Sequence, residues 1–169
     1  FNALFDDVGT PLEDAEPAQR HGVSRAEQLA AIAIVLTALE ADGIMVIEAP
    51  DTGTHRQSVR ALERFAARYG LRQSRAVTGF RSETEQEISF LYDPARLTVC
   101  HDPQGQPRFD GTFHHDLNGD GLPEPIRFSK PPLELALEAG GRKLRLIGVH
   151  AKSKAPHGAR SPADAARIG

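Results

Sequence analysis

Cysteine is almost missing from this sequence: Cys100 is the single one among 169 residues. A lone thiol closes no intramolecular disulfide and builds no cysteine-based zinc cluster, so an ordinary hydrophobic core has to hold the fold. An excess of positive charge is missing as well. Lys and Arg number 20 against 23 Asp and Glu, a formal net charge of −3. That excludes a whole-molecule positive field for gripping nucleic acid and leaves only a local patch open. No apolar run approaches the ~20 residues of a membrane-crossing helix. Internal repeats and low-complexity tracts are lacking too. What is present is 40% hydrophobic and 25% charged, a balance that predicts one soluble globular domain with a real core.

Both ends read as cut. Phe1-Asn2-Ala3-Leu4-Phe5 alternates in a strand-like pattern from the first residue. Ser161-Pro162-Ala163-Asp164 announces a helix, with an N-cap serine, proline at the first helical position and an acid at the third, yet few residues remain before Gly169. The expectation is a single, incomplete domain over residues 1–169, the N-terminal part of a longer protein that supplies further strands.

Between the ends, Ser24-Arg25-Ala26-Glu27 forms a capping box, and Leu29, Ile32, Leu36 and Leu39 follow at helical spacing. The pattern predicts a helix of about four turns, ended by Gly43. Ile44-Met45-Val46-Ile47 then reads as a central buried strand closing at Glu48-Ala49-Pro50. A second helix is marked by Val59, Leu62, Phe65 and Tyr69, with Gly70 as its stop. Strands are expected at roughly 72–80, Glu87 to Tyr92, Arg96 to Cys100, Leu133 to Leu137 and Lys143 to His150, with Asp93-Pro94-Ala95 as a turn and 102–107 as a loop. The sum is an α/β chain with a mixed sheet.

Three polar positions stand at the ends of or within apolar strands. Asn2 lies in the first strand and Glu48 ends the second; a carboxylate there needs a cation or donors if it is buried, or else it emerges into solvent. Ligands of parallel α/β sheets gather at the carboxyl ends of strands, which favours function. His150 ends the run Leu144-Arg145-Leu146-Ile147-Gly148-Val149 and opens the polar turn Ala151-Lys152-Ser153-Lys154. It reads either as a structural histidine or as a general acid/base, with the two lysines drawing in phosphate.

Taken in order, several segments resemble the endonuclease/exonuclease/phosphatase superfamily, whose fold is that of pancreatic deoxyribonuclease. They are the opening strand with Asn2, Ala41-Asp42-Gly43-Ile44-Met45-Val46-Ile47-Glu48, Ile88-Ser89-Phe90-Leu91-Tyr92-Asp93-Pro94, Phe128-Ser129-Lys130-Pro131-Pro132-Leu133 and Val149-His150-Ala151-Lys152-Ser153-Lys154. The resemblance implies a two-sheet sandwich with outer helices, four layers in the order α/β/β/α, and hydrolysis of phosphoester bonds with Mg²⁺ or Mn²⁺. It implies metal-site roles for Asn2 and Glu48, catalytic roles for Glu48 and His150, and substrate contacts from Lys152, Ser153 and Lys154. Such chemistry suits the ion, which favours a few oxygen ligands plus water and stabilises charge on phosphate oxygens. Two departures stand out. Leu4 occupies a position where many members carry an acid, and the later Asp-x-Asn and Asp-His motifs are expected only beyond Gly169, so the 169-residue piece alone is expected to be inactive. The acid that pairs with His150 is left open between Glu85 and Glu87.

A separate signal lies in an insertion at 114–126. Asp116, Asn118, Asp120 and Glu124 fall at positions one, three, five and nine of a loop with Gly121 at six, and the carbonyl of Leu122 stands at seven. This is the start of a Ca²⁺ loop. Arg127 at position twelve excludes a full EF-hand. The shorter pattern resembles calcium loops of some extracellular bacterial proteins and so favours an extracellular or periplasmic setting; the alternative is an acidic, glycine-rich turn without an ion. His114 and His115, adjacent on a strand, point to opposite faces and read as surface residues.

The reading is a divalent-metal-dependent phosphoester hydrolase acting on nucleic acid or a small phosphodiester, with a calcium-stabilised insertion. The alternatives are a lipid or small-molecule phosphatase of the same fold, which the acidic balance favours, and a non-catalytic binding scaffold, which Leu4 permits. No feature calls for an obligate protein partner.

Overall fold

The computed structural model describes residues 4–5, 22–50, 58–81, 86–104 and 111–151. Of the strand expected at the start of the chain only Leu4 and Phe5 are described, and the helix expected from Ser161 lies outside the described residues.

Helix α1, Arg25–Ala38, starts as the capping box dictates. The Glu27 amide donates to Ser24 Oγ at 3.2 Å, and the Ser24 amide donates back to Glu27 Oε2 at 2.8 Å. It ends at Leu39, four residues before Gly43, which instead opens strand β1, Gly43–Pro50. Helix α2, Ser58–Tyr69, stops at Gly70, whose φ of +65° lets the chain reverse. The amides of Leu71 and Gly70 then donate to the carbonyls of Ala66 and Ala67, satisfying two otherwise orphaned acceptors.

The remaining elements are strands: β2 Arg75–Thr78, β3 Gln86–Tyr92, β4 Leu97–His101, β5 Thr112–His115, β6 Glu124–Arg127, β7 Leu133–Ala139 and β8 Arg142–Gly148. They form sheets β1-β3-β2 and β4-β7-β8 and the hairpin β5-β6. Among the described strands every pairing is antiparallel, where a mixed sheet was expected. Among the described strands the middle of the first sheet is β3. The continuous apolar run of β1 arises because helices cover one face and a second sheet the other, and it carries no information on which strand is central.

Alternation along β3 organises the layers. Leu91 turns to the helices, where it joins Leu29, Ala33, Leu62, Phe65 and Ala66. Ile88 and Phe90 turn the other way, against Leu133 and Leu135 of β7, with Met45, Val77 and Leu137 around them. The described residues thus stack helices, sheet and sheet. Asp93 carries the chain from one sheet to the other: its side chain accepts from the Ala95 amide at 2.9 Å and its carbonyl from Leu97. On the far side of the second sheet, Thr98, Cys100, Ala136, Glu138, Lys143 and Arg145 line an open hollow of about 440 Å³. Among the described residues no helix is long and apolar enough to cross a membrane.

Candidate active site

Strand β1 carries one more residue than its partner between two matched pairs. Val46 faces Ser89 and Ala49 faces Glu87, so Ile47 and Glu48 together oppose a single residue of β3. This is a β-bulge, and it decides where Glu48 points. Val46 packs with the helix-side core, and in a regular strand Glu48, two residues on, would follow it there. Past the bulge it is Ala49 that is buried on that side. Glu48 is left turned out of the helix-side core, at a φ of +57°. That left-handed conformation costs a side-chain-bearing residue roughly 1–2 kcal/mol.

Two other segments arrive at Glu48. The chain leaves β6 through Phe128, which stacks on Phe113 at 6.0 Å, and reaches Lys130 immediately before Pro131-Pro132 and β7. Proline after Lys130 keeps that residue extended. Its Nζ donates to Glu48 Oε1 at 3.1 Å, and its side chain is only 14% exposed. From the second sheet, β8 ends at Gly148, two residues before His150. Gly148 is buried against Met45 and Ile88, and a Cβ there would stand 2.7 Å from Met45 Sδ and 3.0 Å from Ile88 Cγ2. The absent side chain lets the end of β8 lie close on β1. His150 Nε2 thereby comes to 3.7 Å from Glu48 Oε1. His150 stands after the strand rather than at its last residue, and its Nδ1 is buried with no hydrogen-bond partner among the described residues.

The electrostatics follow from the neighbours. The hydrogen bond from Lys130 is the largest influence on Glu48 and holds its carboxyl below the usual range, against the opposing effect of burial; the charges of Lys130 and His150 add to it. The three groups together are a carboxylate, an ammonium and an imidazole. They can balance an anion's charge, offer an oxygen to a cation and hold or move a proton.

Of the residues expected from sequence, Glu48 and His150 are brought together. Asn2, Lys152, Ser153, Lys154 and Glu85 lie outside the described residues. Glu87, one of the two acids left open for His150, is 3% exposed on the helix-facing side of β3, where Ser58 Oγ donates to it at 3.4 Å. Among the described residues the carboxylate beside His150 is Glu48. Leu4 is buried in the helix-side core, as an apolar side chain should be. Sequence alone gives Lys130 no role beyond its place in the run Phe128-Ser129-Lys130-Pro131-Pro132-Leu133. A basic residue pinned before two prolines was the available signal.

The 116–124 loop joins β5 to β6 and is knit by its own polar groups. Asp116 accepts from the amides of Gly119 at 2.6 Å and Gly121 at 2.9 Å. Asn118 accepts from Asp120, Asp120 from Leu122, and Glu124 from the Leu117 amide and the Asn118 side chain. The Gly121 amide is the largest influence holding the Asp116 carboxyl below its usual range. His114 and His115 are both exposed, as expected.

Among the described residues no three His, Cys, Asp or Glu side chains are grouped so as to hold a metal ion. Glu48 still fits a Mg²⁺-type site as a single ligand: Lys130 and His150 address Oε1, and Oε2 takes no hydrogen bond from a described residue. Such ions are commonly held by one or two carboxylates with the remaining positions filled by water and substrate. Comparison with protein-family models, with curated proteins and with solved structures finds no match to this chain.

Proposed function

We propose that this chain carries part of the active site of a divalent-metal-dependent phosphoester hydrolase of the endonuclease/exonuclease/phosphatase type, acting on phosphodiesters. The observation that carries the reading is the convergence of Glu48, Lys130 and His150, far apart in sequence, at the ends of two packed sheets. A bulge with a left-handed residue at Glu48 is a local cost that packing alone does not require, and such features gather at functional sites.

In this reading Glu48, with Asn2, holds Mg²⁺ or Mn²⁺. The ion supplies charge stabilisation at the phosphoryl oxygens. His150 holds a proton at one ring nitrogen and offers the other to the reacting oxygen, while Lys130 places a positive charge beside the phosphate. Lys152, Ser153 and Lys154 follow directly on His150 and extend the phosphate-binding surface. The helix, sheet and sheet layers are three of the four that a deoxyribonuclease-like sandwich has. The 116–124 loop binds Ca²⁺ as a structural ion, separate from the site: Asp116, Asp120 and Glu124 place three carboxylates in one short turn, and a cation relieves their repulsion.

The test is hydrolysis of a panel of phosphodiesters and phosphomonoesters by the protein at its natural length, with Mg²⁺, with Mn²⁺ and with chelator. Metal-dependent cleavage of diesters is the expected result. Preference for monoesters transfers the reading to a small-molecule or lipid phosphatase. No cleavage of any substrate with either metal overturns it in favour of a binding scaffold.

A further inference from the structure

We propose that Lys130 is the resident counter-ion of the metal seat: its ammonium keeps Glu48 charge-balanced, and a divalent ion binds by taking Glu48 from it. The inference rests on the reading of Glu48 as the metal-holding carboxylate. Glu48 is fixed by the bulge, and Lys130 by the two prolines that follow it, so their approach is built into the backbone. The contact of 3.1 Å lies at the partly covered end of the sandwich, where the lysine side chain is 14% exposed and the glutamate 44%. A cation on the same carboxylate meets the ammonium at a distance where like charges repel strongly. The four-carbon stem of lysine is flexible, so its head can leave Oε1 without any movement of the main chain. Lys130 therefore lowers metal affinity, and in return the carboxylate is never left uncompensated.

Calorimetric titration of Mn²⁺ into the natural-length protein tests this, using wild type, Lys130→Met, Lys130→Arg and Glu48→Gln. Lys130→Met is expected to tighten binding about fivefold, the factor corresponding to ~1 kcal/mol for a partly exposed pair. Lys130→Arg keeps the charge and is expected to bind as wild type does, and Glu48→Gln to lose binding. Unchanged or weaker binding by Lys130→Met, with Glu48→Gln still defective, overturns the counter-ion role and leaves the metal reading intact. Wild-type binding by Glu48→Gln overturns the metal reading itself. A measurement on unaltered protein guards against a misfolded variant: amine acylation at Lys130, followed by peptide mass spectrometry, is expected to rise when Mn²⁺ is added. Equal labelling with and without the ion contradicts the proposal.

Discussion

At the scale of single residues, the site is a matter of where one side chain is aimed. Glu48 escapes the helix-side core only because one extra residue shifts the alternation of β1. Its partners meet it from 82 and 102 positions further along the chain, so no local pattern could pair them. His150 was legible as a polar residue closing an apolar strand, and Glu48 likewise. Lys130 was not, because its role is fixed by an approach between distant segments. The same holds for Glu87: alternation places it on the helix side with Leu91, and a linear reading that set it beside His150 lacked the face. His150 Nδ1 is buried and takes part in no hydrogen bond among the described residues. His150→Ala is expected to lower phosphodiester turnover by about 10²- to 10⁴-fold, the range for a positioned acid/base, with metal affinity changed little; steady-state kinetics beside a metal titration checks both.

At the scale of elements, the features encoded locally were the ones that sequence disclosed. The start of α1 rests on a capping box within four residues, and the end of α2 on one glycine, so both were readable. Helix α1 ends before Gly43, which belongs to the following strand, where its missing Cβ makes room for the Phe90 ring. Strand order was not readable, since β1 and β3 are both apolar and only their pairing fixes the order among the described strands. The close approach of β8 to β1 turns on Gly148. Gly148→Val is expected to cost about 1–3 kcal/mol in denaturant unfolding, as overpacking does, tempered by the adaptability of Met45, and to lower activity further by moving His150 from Glu48. The β5-β6 hairpin makes its own test. Ca²⁺ added to metal-stripped protein is expected to raise the melting temperature in proportion to the logarithm of its concentration, through binding to the native state alone, with Asp120→Ala insensitive. Equal melting curves return the loop to a plain turn.

At the scale of the molecule, the shifted carboxyls and His101 share one direction, downward, while the hydrogen bond with Asp42 raises the Arg72 guanidinium. Burial pushes His101 below its ordinary value of 6.5. The hydrogen bond from Arg145 holds Asp102 low, that from Lys130 holds Glu48 low, and the Ser24 amide holds Glu27 low. In each lowered case the folded state takes up a proton less readily than the unfolded chain, so each contributes stability above its ordinary value and loses it as pH falls. Thermal melting is expected to be level at neutral pH, to decline slightly below pH 6.5 as unfolded His101 protonates, and to drop more steeply below about 4.5, where the carboxylates follow. A melting temperature that rises on acidification contradicts these assignments. The layered arrangement packs the ends of β1 and β8 together at Gly148, and the proposed chemistry depends on that packing. The most direct measurement is phosphodiester hydrolysis in Mg²⁺ by the natural-length protein and by its Glu48→Gln variant, each checked for an unchanged melting profile. Loss of at least about a hundredfold in rate, the equivalent of a few kcal/mol of charge stabilisation, is the result the account predicts. Undiminished hydrolysis by Glu48→Gln contradicts it.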